Sequence, residues 1–201
     1  MFSIMKEWKT RMLCEGALFV AMAQVLGFLK LWEFPWGGSV TLSMLPVFIF
    51  SVRWGCRNAF LASFAFGLLQ FLFDGGFALT WQSMIGDYIL AFGVLGLAGL
   101  FQGKRWGIFA GAVVGSTARF VVHYVVGATI WAAYMPDEFF GMTMTSPWTY
   151  SFLYNGSYML IDLVLCLVAA GLMYRPLYRF LIGLDLVGAE GRASVTKRGK
   201  S

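Results

Sequence analysis

The sequence predicts an all-α integral membrane protein of six transmembrane helices in one bundle with both termini cytoplasmic, and three observations lead there. Of its 201 residues, 59% are hydrophobic and 12% charged, with a mean hydropathy of +0.73. Soluble domains carry roughly 25% charge, and so little polar surface cannot cover a water-facing globule of this size. Apolar runs recur at lengths near the about 20 residues that a helix needs to cross a bilayer. The basic residues, last, alternate between abundance and near absence from one connecting segment to the next.

The predicted spans are Met12–Leu29, Val40–Val52, Ala59–Phe73, Met84–Phe101, Ile108–Trp131 and Tyr150–Met173. Before the first, Lys6, Lys9 and Arg11 with Ala21-Met22-Ala23 imitate a signal peptide. Glu15 interrupts that run, the run continues to Leu29, and its removal would leave an odd number of spans. The second run is short and needs tilt or local thinning of the bilayer, yet omitting it sets its flanks on inconsistent sides. Threaded this way, one side receives Lys6, Lys9, Arg11, Arg53, Arg57, Lys104, Arg105, Arg175, Arg179, Arg192, Lys197, Arg198 and Lys200, and the other only Lys30. Arg119 falls inside the fifth span. The side rich in Lys and Arg is the cytoplasmic one. Residues 1–182 form the bundle and 183–201 a cytoplasmic tail, because Gly188–Ser201 has no apolar period.

The net charge of +5 and pI of about 9.2 thus follow from topology and imply no nucleic-acid partner. Cys14, Cys56 and Cys166 share no metal or redox spacing and read as packing residues. Gly67, Gly93, Gly96, Gly99, Gly111 and Gly115 lie inside spans, where small residues let helix backbones approach. Ala17 and Ala21, a turn apart on the first helix, form a small-residue seam that suits internal packing or, equally, docking of another membrane subunit. One His and scattered carboxylates give no metal-ligand set, and no cofactor is implied. The string Gly99 to Arg105 has the wrong glycine interval for a P-loop and no Ser or Thr after its lysine.

Polar groups at membrane depth are costly, at about 2.5–3.5 kcal/mol for a charge at a helix centre on insertion scales, and here they are few. Asp87 opens the fourth helix, Arg119 and His123 lie a turn apart on the fifth, and Asn155 and Asp162 follow on the sixth. His123, Gly127 and Trp131 continue the face of Arg119, a stripe that belongs against the bundle interior. The topology brings Trp36, Phe77, Trp81, Tyr88, Trp131, Tyr134, Trp148 and Tyr150 to the same outer end. An aromatic belt explains any one of them. It does not explain a carboxylate, an imidazole and an amide converging there. Rings and a carboxylate together suit a planar cation, with cation–π attraction contributing about 0.5–2 kcal/mol per ring.

These patterns resemble the thiamine-specific substrate-binding component of energy-coupling factor vitamin transporters, over about Arg11 to Phe180. The first helix, Glu15-Gly16-Ala17-Leu18-Phe19-Val20-Ala21, is similar to the family's alanine-xxx-alanine face for the transmembrane coupling subunit. Asp87-Tyr88 with Leu95-Gly96-Leu97-Ala98-Gly99-Leu100-Phe101, the stripe His123 to Gly127 to Trp131, Tyr150-Ser151 and Asn155-Gly156 resemble further family patterns. The resemblance implies that Trp131 stacks on thiamine, Trp36 helps cover it and Asp87 faces the thiazolium. It further implies that His123, Tyr150 and Asn155 make polar contacts and that Tyr88 and Gly127 shape the wall. Asp87 stands where the family has glutamate and Phe77 where it has tyrosine, so one methylene and one hydroxyl are missing. Partners implied are a transmembrane coupling subunit docked at Ala17 and Ala21 and two cytoplasmic ATPase subunits, in a prokaryotic plasma membrane.

Two other functions fit parts of the pattern. The same architecture could take the hydroxymethylpyrimidine precursor, which lacks the thiazolium and makes little use of Asp87. An intramembrane serine hydrolase would need His123 beside Ser151 or Ser157. Burial also predicts that Arg119 neutralises Asp162 or Asp87.

Overall fold

The structure is a computed structural model that describes residues 2–34, 38–73 and 78–186, with side chains from Lys9 onward. Trp36, Phe77 and most of the expected tail lie outside the described residues. The described residues form six helices: α1 (Phe2–Phe28), α2 (Met44–Trp54), α3 (Cys56–Phe73), α4 (Trp81–Phe101), α5 (Gly107–Thr129) and α6 (Pro147–Leu181). Two short antiparallel hairpins connect them, β1 (Trp32–Glu33) with β2 (Ser39–Val40), and β3 (Glu138–Phe139) with β4 (Met142–Thr143).

Among the described residues five helices are long and apolar enough to cross a membrane, and α2 is not. Its 11 residues rise about 16 Å at 1.5 Å each, half of the about 30 Å hydrocarbon layer. All of them are buried, so α2 is apolar all round because protein rather than lipid surrounds it. Sequence hydropathy does not separate the two environments. The even topology survives, since α2 runs from the β1–β2 hairpin at one end to Arg53 at the other, where Arg53 meets Glu15 of α1 and Asp185 in the turn after α6.

Other helix ends differ from the hydropathy limits for local reasons. Helix α4 begins at Trp81 because Thr80 and Ser83 cap it reciprocally, the Ser83 N–H donating to Thr80 Oγ1 at 3.2 Å and the Thr80 N–H to Ser83 Oγ at 3.0 Å. Helix α6 begins with Pro147 in its first turn, where no N–H is needed. It runs on through Pro176 to Leu181, although Pro176 leaves the carbonyl of exposed Leu172 without its helical donor. Helices α3 and α4 touch along glycines. A Cβ on Gly96 would stand 2.7 Å from Phe60 N, and one on Gly67 or Gly99 would overlap Tyr88 O or Cys56 N. Gly93 is the exception, with nothing near it. Of the thiols, Cys166 is buried in the core, whereas Cys14 is exposed on α1 and packs on nothing internal.

At the basic end, Arg53 closes the bundle. Its side chain has no exposed surface, and all five of its N–H groups are used. They reach Glu15 at 2.6 and 3.0 Å, Asp185 at 2.7 and 2.8 Å and the Phe180 carbonyl at 2.8 Å. Trp54 Nε1 donates to Glu15 at 2.7 Å, and Arg11 bonds both carboxylates. Gly183–Leu186, which the sequence assigned to the tail, are therefore turns fastened to α1 and α2. The Arg53 hydrogen bonds hold the Asp185 carboxyl down at about 2, from an ordinary value of 3.8. A depressed carboxylate stabilises the fold above its unfolded value, and that contribution is lost as pH falls through the folded one. The melting-temperature gap between wild type and Asp185→Asn in detergent is expected to be full above about pH 5 and to close as the pH falls from about 4 towards 2. A gap independent of pH would contradict the ion pair.

Candidate functional site

The end of α1, the first hairpin, α4, α5 and α6 enclose a cavity of about 520 Å³. It occupies the half of the bundle away from the basic loops, which the charge pattern makes extracellular. Asp87, Tyr88, His123, Gly127, Trp131, Tyr150 and Asn155, all expected at the site, line it. Trp36 and Phe77 lie outside the described residues. Ala17 and Ala21 are remote from the cavity, on an exposed face of α1 with Leu18 and Met22.

Asp87 and Tyr88 are neighbours in sequence, and on a regular α-helix neighbours diverge by about 100°. Ile85–Leu90 is instead a π-helical stretch within α4, and both residues reach the cavity from it. Such a turn inserts one residue into the helical repeat and is frequent at functional sites. Gly86 permits it to press on α5, where a Cβ would stand 2.6 Å from Val126 Cγ2.

Both oxygens of Asp87 are held. Oδ1 lies 3.0 Å from His123 Nδ1, and Oδ2 accepts from Trp131 Nε1 at 2.8 Å. Arg119 Nε donates to His123 Nε2 at 3.3 Å, so that nitrogen must be an acceptor and the ring proton sits on Nδ1. His123 is thereby a neutral donor, and Asp87 keeps its negative charge facing the cavity. The bond also fixes the Trp131 indole beside the carboxylate, and Tyr134 packs against that indole at 5.9 Å between ring centres. The anticipated ion pairs of Arg119 are not formed. Its guanidinium lies 4.3 Å from the centre of the Phe92 ring, and Asp162, almost wholly buried, accepts the Thr41 N–H at 2.8 Å instead. A backbone donor, rather than a direct ion pair, satisfies that carboxylate oxygen.

The opposite wall is α6. Asn155 Nδ2 donates to Ser151 O and Oγ at 3.0 and 3.1 Å, and Asn155 Oδ1 accepts from Tyr158 OH at 2.9 Å. Gly127 is required at this crossing, because a Cβ there would overlap Ser151 Oγ and come within 3.2 Å of Asn155 Nδ2. Tyr150, Tyr154 and Tyr158 form a ladder at intervals of four. Tyr154 OH accepts the Gly38 N–H at 3.0 Å, and Phe34 packs on Tyr154 and Tyr158, so the first hairpin is pinned over the site. Phe139 of the second hairpin meets Tyr150 edge-on at 5.3 Å. The Tyr150 hydroxyl has no hydrogen-bond partner among the described residues.

Sequence reasoning missed Tyr154, Tyr158, Thr41 and Gln70 as cavity residues. The i, i+4 repeat from Tyr150 would have found the two tyrosines. Trp81 and Trp148, grouped with the site by topology, are exposed and do not line the cavity. Neither Ser151 nor Ser157 is hydrogen-bonded to His123. Ser151 Oγ donates to the Tyr124 carbonyl at 2.8 Å and Ser157 Oγ to the Tyr154 carbonyl at 2.7 Å. Among the described residues no group of His, Cys, Asp and Glu is arranged to hold a metal.

A membrane helix bundle around an aromatic cavity with a hydrogen-bonded carboxylate in its wall defines a membrane-embedded binding protein. Comparison with known proteins makes that class specific. The chain belongs to the thiamine transporter protein family (Thia_YuaJ), which matches residues 13–182. It is 29% identical over 184 residues to the thiamine transporter ThiT of Bacillus subtilis, covering 84% of this chain and 93% of that one. Against the thiamine transporter ThiT of Lacticaseibacillus paracasei it is 28% identical over 187 residues, 85% and 90% of the two chains. The solved structure of ThiT from Listeria monocytogenes superposes with a TM-score of 0.75 at 25% identity, over 86% of this chain and 98% of that one. The protein is accordingly a multi-pass transport protein of the bacterial plasma membrane and not an enzyme.

Proposed function

We propose that the chain is the high-affinity thiamine-binding subunit of an energy-coupling-factor uptake transporter. It captures thiamine in the outer-side cavity and delivers it to the cytoplasm with a coupling module. The observation that carries this reading is Asp87, a carboxylate held by neutral donors and flanked by the Trp131 indole. Neutral donors leave its charge available to a cation, and the indole face adds stacking and cation–π attraction. In this reading the thiazolium lies against Trp131 and Asp87. The aminopyrimidine meets the α6 wall, where the Tyr150 hydroxyl awaits a partner. His123 acts by orienting Asp87, and Tyr88 and Gly127 shape the wall. The reading also gives Trp36 and Phe77, which lie outside the described residues, to contact with the ligand.

Unphosphorylated thiamine is the favoured form. Lys30, which the sequence gives as the sole outer base, is already paired with Glu33 at 2.7 Å. The chain has no phosphate-binding loop for ATP, so the reading assigns hydrolysis to two cytoplasmic ATPase subunits, joined through a transmembrane subunit docked at Ala17 and Ala21.

Titration of the detergent-purified protein with thiamine, followed by tryptophan fluorescence, tests the proposal. Saturable quenching at submicromolar thiamine, lost in Trp131→Ala, is expected. A response to hydroxymethylpyrimidine with none to thiamine would keep the architecture and overturn the ligand.

A further inference from the structure

Helices α5 and α6 leave an open groove lined by Phe109, Ala110, Val113, Val114, Leu167 and Val168. Every lining residue is apolar, and Val113 and Val168 are about half exposed. At its cytoplasmic end the groove runs into an aromatic floor. Phe109 packs on Tyr174 at 5.4 Å between ring centres, and Tyr174 stacks on Trp106 at 5.2 Å and 4°. The Tyr174 hydroxyl donates to the Arg105 carbonyl, which fastens this floor to the loop before α5. Lys104 and Arg105 precede Trp106, Arg175 follows Tyr174, and all three are exposed. None has a carboxylate within ion-pairing distance among the described residues. Arg105 instead leans over the Trp106 ring at 5.8 Å and Lys104 over Phe101 at 5.1 Å. Asp185, a carboxylate at this end of the bundle, is occupied by Arg53 and Arg11.

We propose that this groove is a binding site for an anionic phospholipid of the inner leaflet, with an acyl chain against Val113 and Val168 and the phosphate between Arg105 and Arg175. The occupant must join a hydrocarbon to an anionic group at the depth of the interface. The groove offers only apolar contacts, and its cations stand at one end, at the level of the Trp106–Tyr174 pair. An anionic lipid meets both demands, and basic pockets beside cytoplasmic helix ends are suited to such headgroups. A partner helix would satisfy the groove and leave the three cations unanswered. The site is independent of the thiamine cavity, with which it shares no lining residue.

The full chain in nanodiscs with brominated-acyl phosphatidylglycerol or brominated-acyl phosphatidylcholine tests this at matched bromine content. Trp106 emission is isolated by subtracting Trp106→Phe. Stronger quenching by the phosphatidylglycerol is expected, with preference falling about fivefold for each cation removed in Arg105→Gln and Arg175→Gln. Arg57→Gln, an exposed base at the start of α3, should leave the preference unchanged. Equal quenching by the two lipids overturns the site. So does a loss as large in Arg57→Gln, which marks general surface charge. Val113→Trp, which fills the groove, should abolish the quenching preference while the fold, read by circular dichroism, persists.

Discussion

Asp87→Asn is expected to weaken thiamine binding by roughly 30- to 1000-fold, because truncating one partner of a buried, hydrogen-bonded charge pair costs about 2–4 kcal/mol. The substitution keeps the size of the side chain and one acceptor oxygen. It replaces the other oxygen with an amide that faces the Nδ1 proton of His123 or the Nε1 proton of Trp131, both of which now donate to the carboxylate. Donor would confront donor on one side of the site. The Trp131 ring would lose its tether and the cation its counter-charge, so affinity falls on both counts. Folding should suffer little, since Asp87 lies at the edge of a cavity and forms no interhelical ion pair with Arg119. Calorimetric titration of the folded variant with thiamine measures the loss. Unchanged affinity would remove Asp87 from the recognition of charge.

The largest effect on stability is expected from Arg53→Met. Removing one partner of a buried salt bridge costs about 3–5 kcal/mol, because the remaining charges are left uncompensated. Here two carboxylates, Glu15 and Asp185, and the Phe180 carbonyl lose their shared donor at once. Arg53→Lys should recover only part of the loss, since an ammonium with three donors does not span two carboxylates and a carbonyl as a guanidinium does. Glu15→Gln combined with Asp185→Asn in the Arg53→Met background should restore part of the stability by removing two carboxylate charges that Arg11 alone would have to answer. Thermal melts in one detergent check the series. The thiamine affinity of the folded fraction should be unchanged throughout, since none of these residues lines the cavity.

Much of this architecture was legible in the sequence. The charge asymmetry gave sidedness without any structure, because each basic loop reports its own side. The stripe Arg119, His123, Gly127 and Trp131 was readable because i, i+4 spacing holds along α5 and carries to Trp131 just past its end, and all four line the cavity. The shortness of α2 was readable but its enclosure by protein was not, since hydropathy treats burial in protein and in lipid alike. The π-helical turn that brings Asp87 and Tyr88 to one side was also hidden. It arises from packing of Gly86 on Val126 and breaks the 3.6-residue repeat on which sequence patterns rest. Ion pairing failed as a guide in both directions. Arg119 looked as though it required a carboxylate and found an aromatic ring and an imidazole. Arg53 looked like an ordinary cytoplasmic charge and is the most enclosed side chain of its network. Contacts between residues 38 and 174 positions apart, Arg53 with Glu15 and Arg11 with Asp185, leave no periodic trace for a sequence to show.

The most direct test of a charge-reading thiamine site compares thiamine with a neutral isostere in which an uncharged thiophene replaces the thiazolium. Both ligands are titrated calorimetrically into wild type and Asp87→Asn. The predicted result is that wild type prefers thiamine by at least tenfold and that the preference collapses in Asp87→Asn, where the two ligands bind alike. An undiminished preference for the cation in Asp87→Asn would contradict the assignment of Asp87, and equal binding of both ligands by wild type would show that the cavity does not read charge.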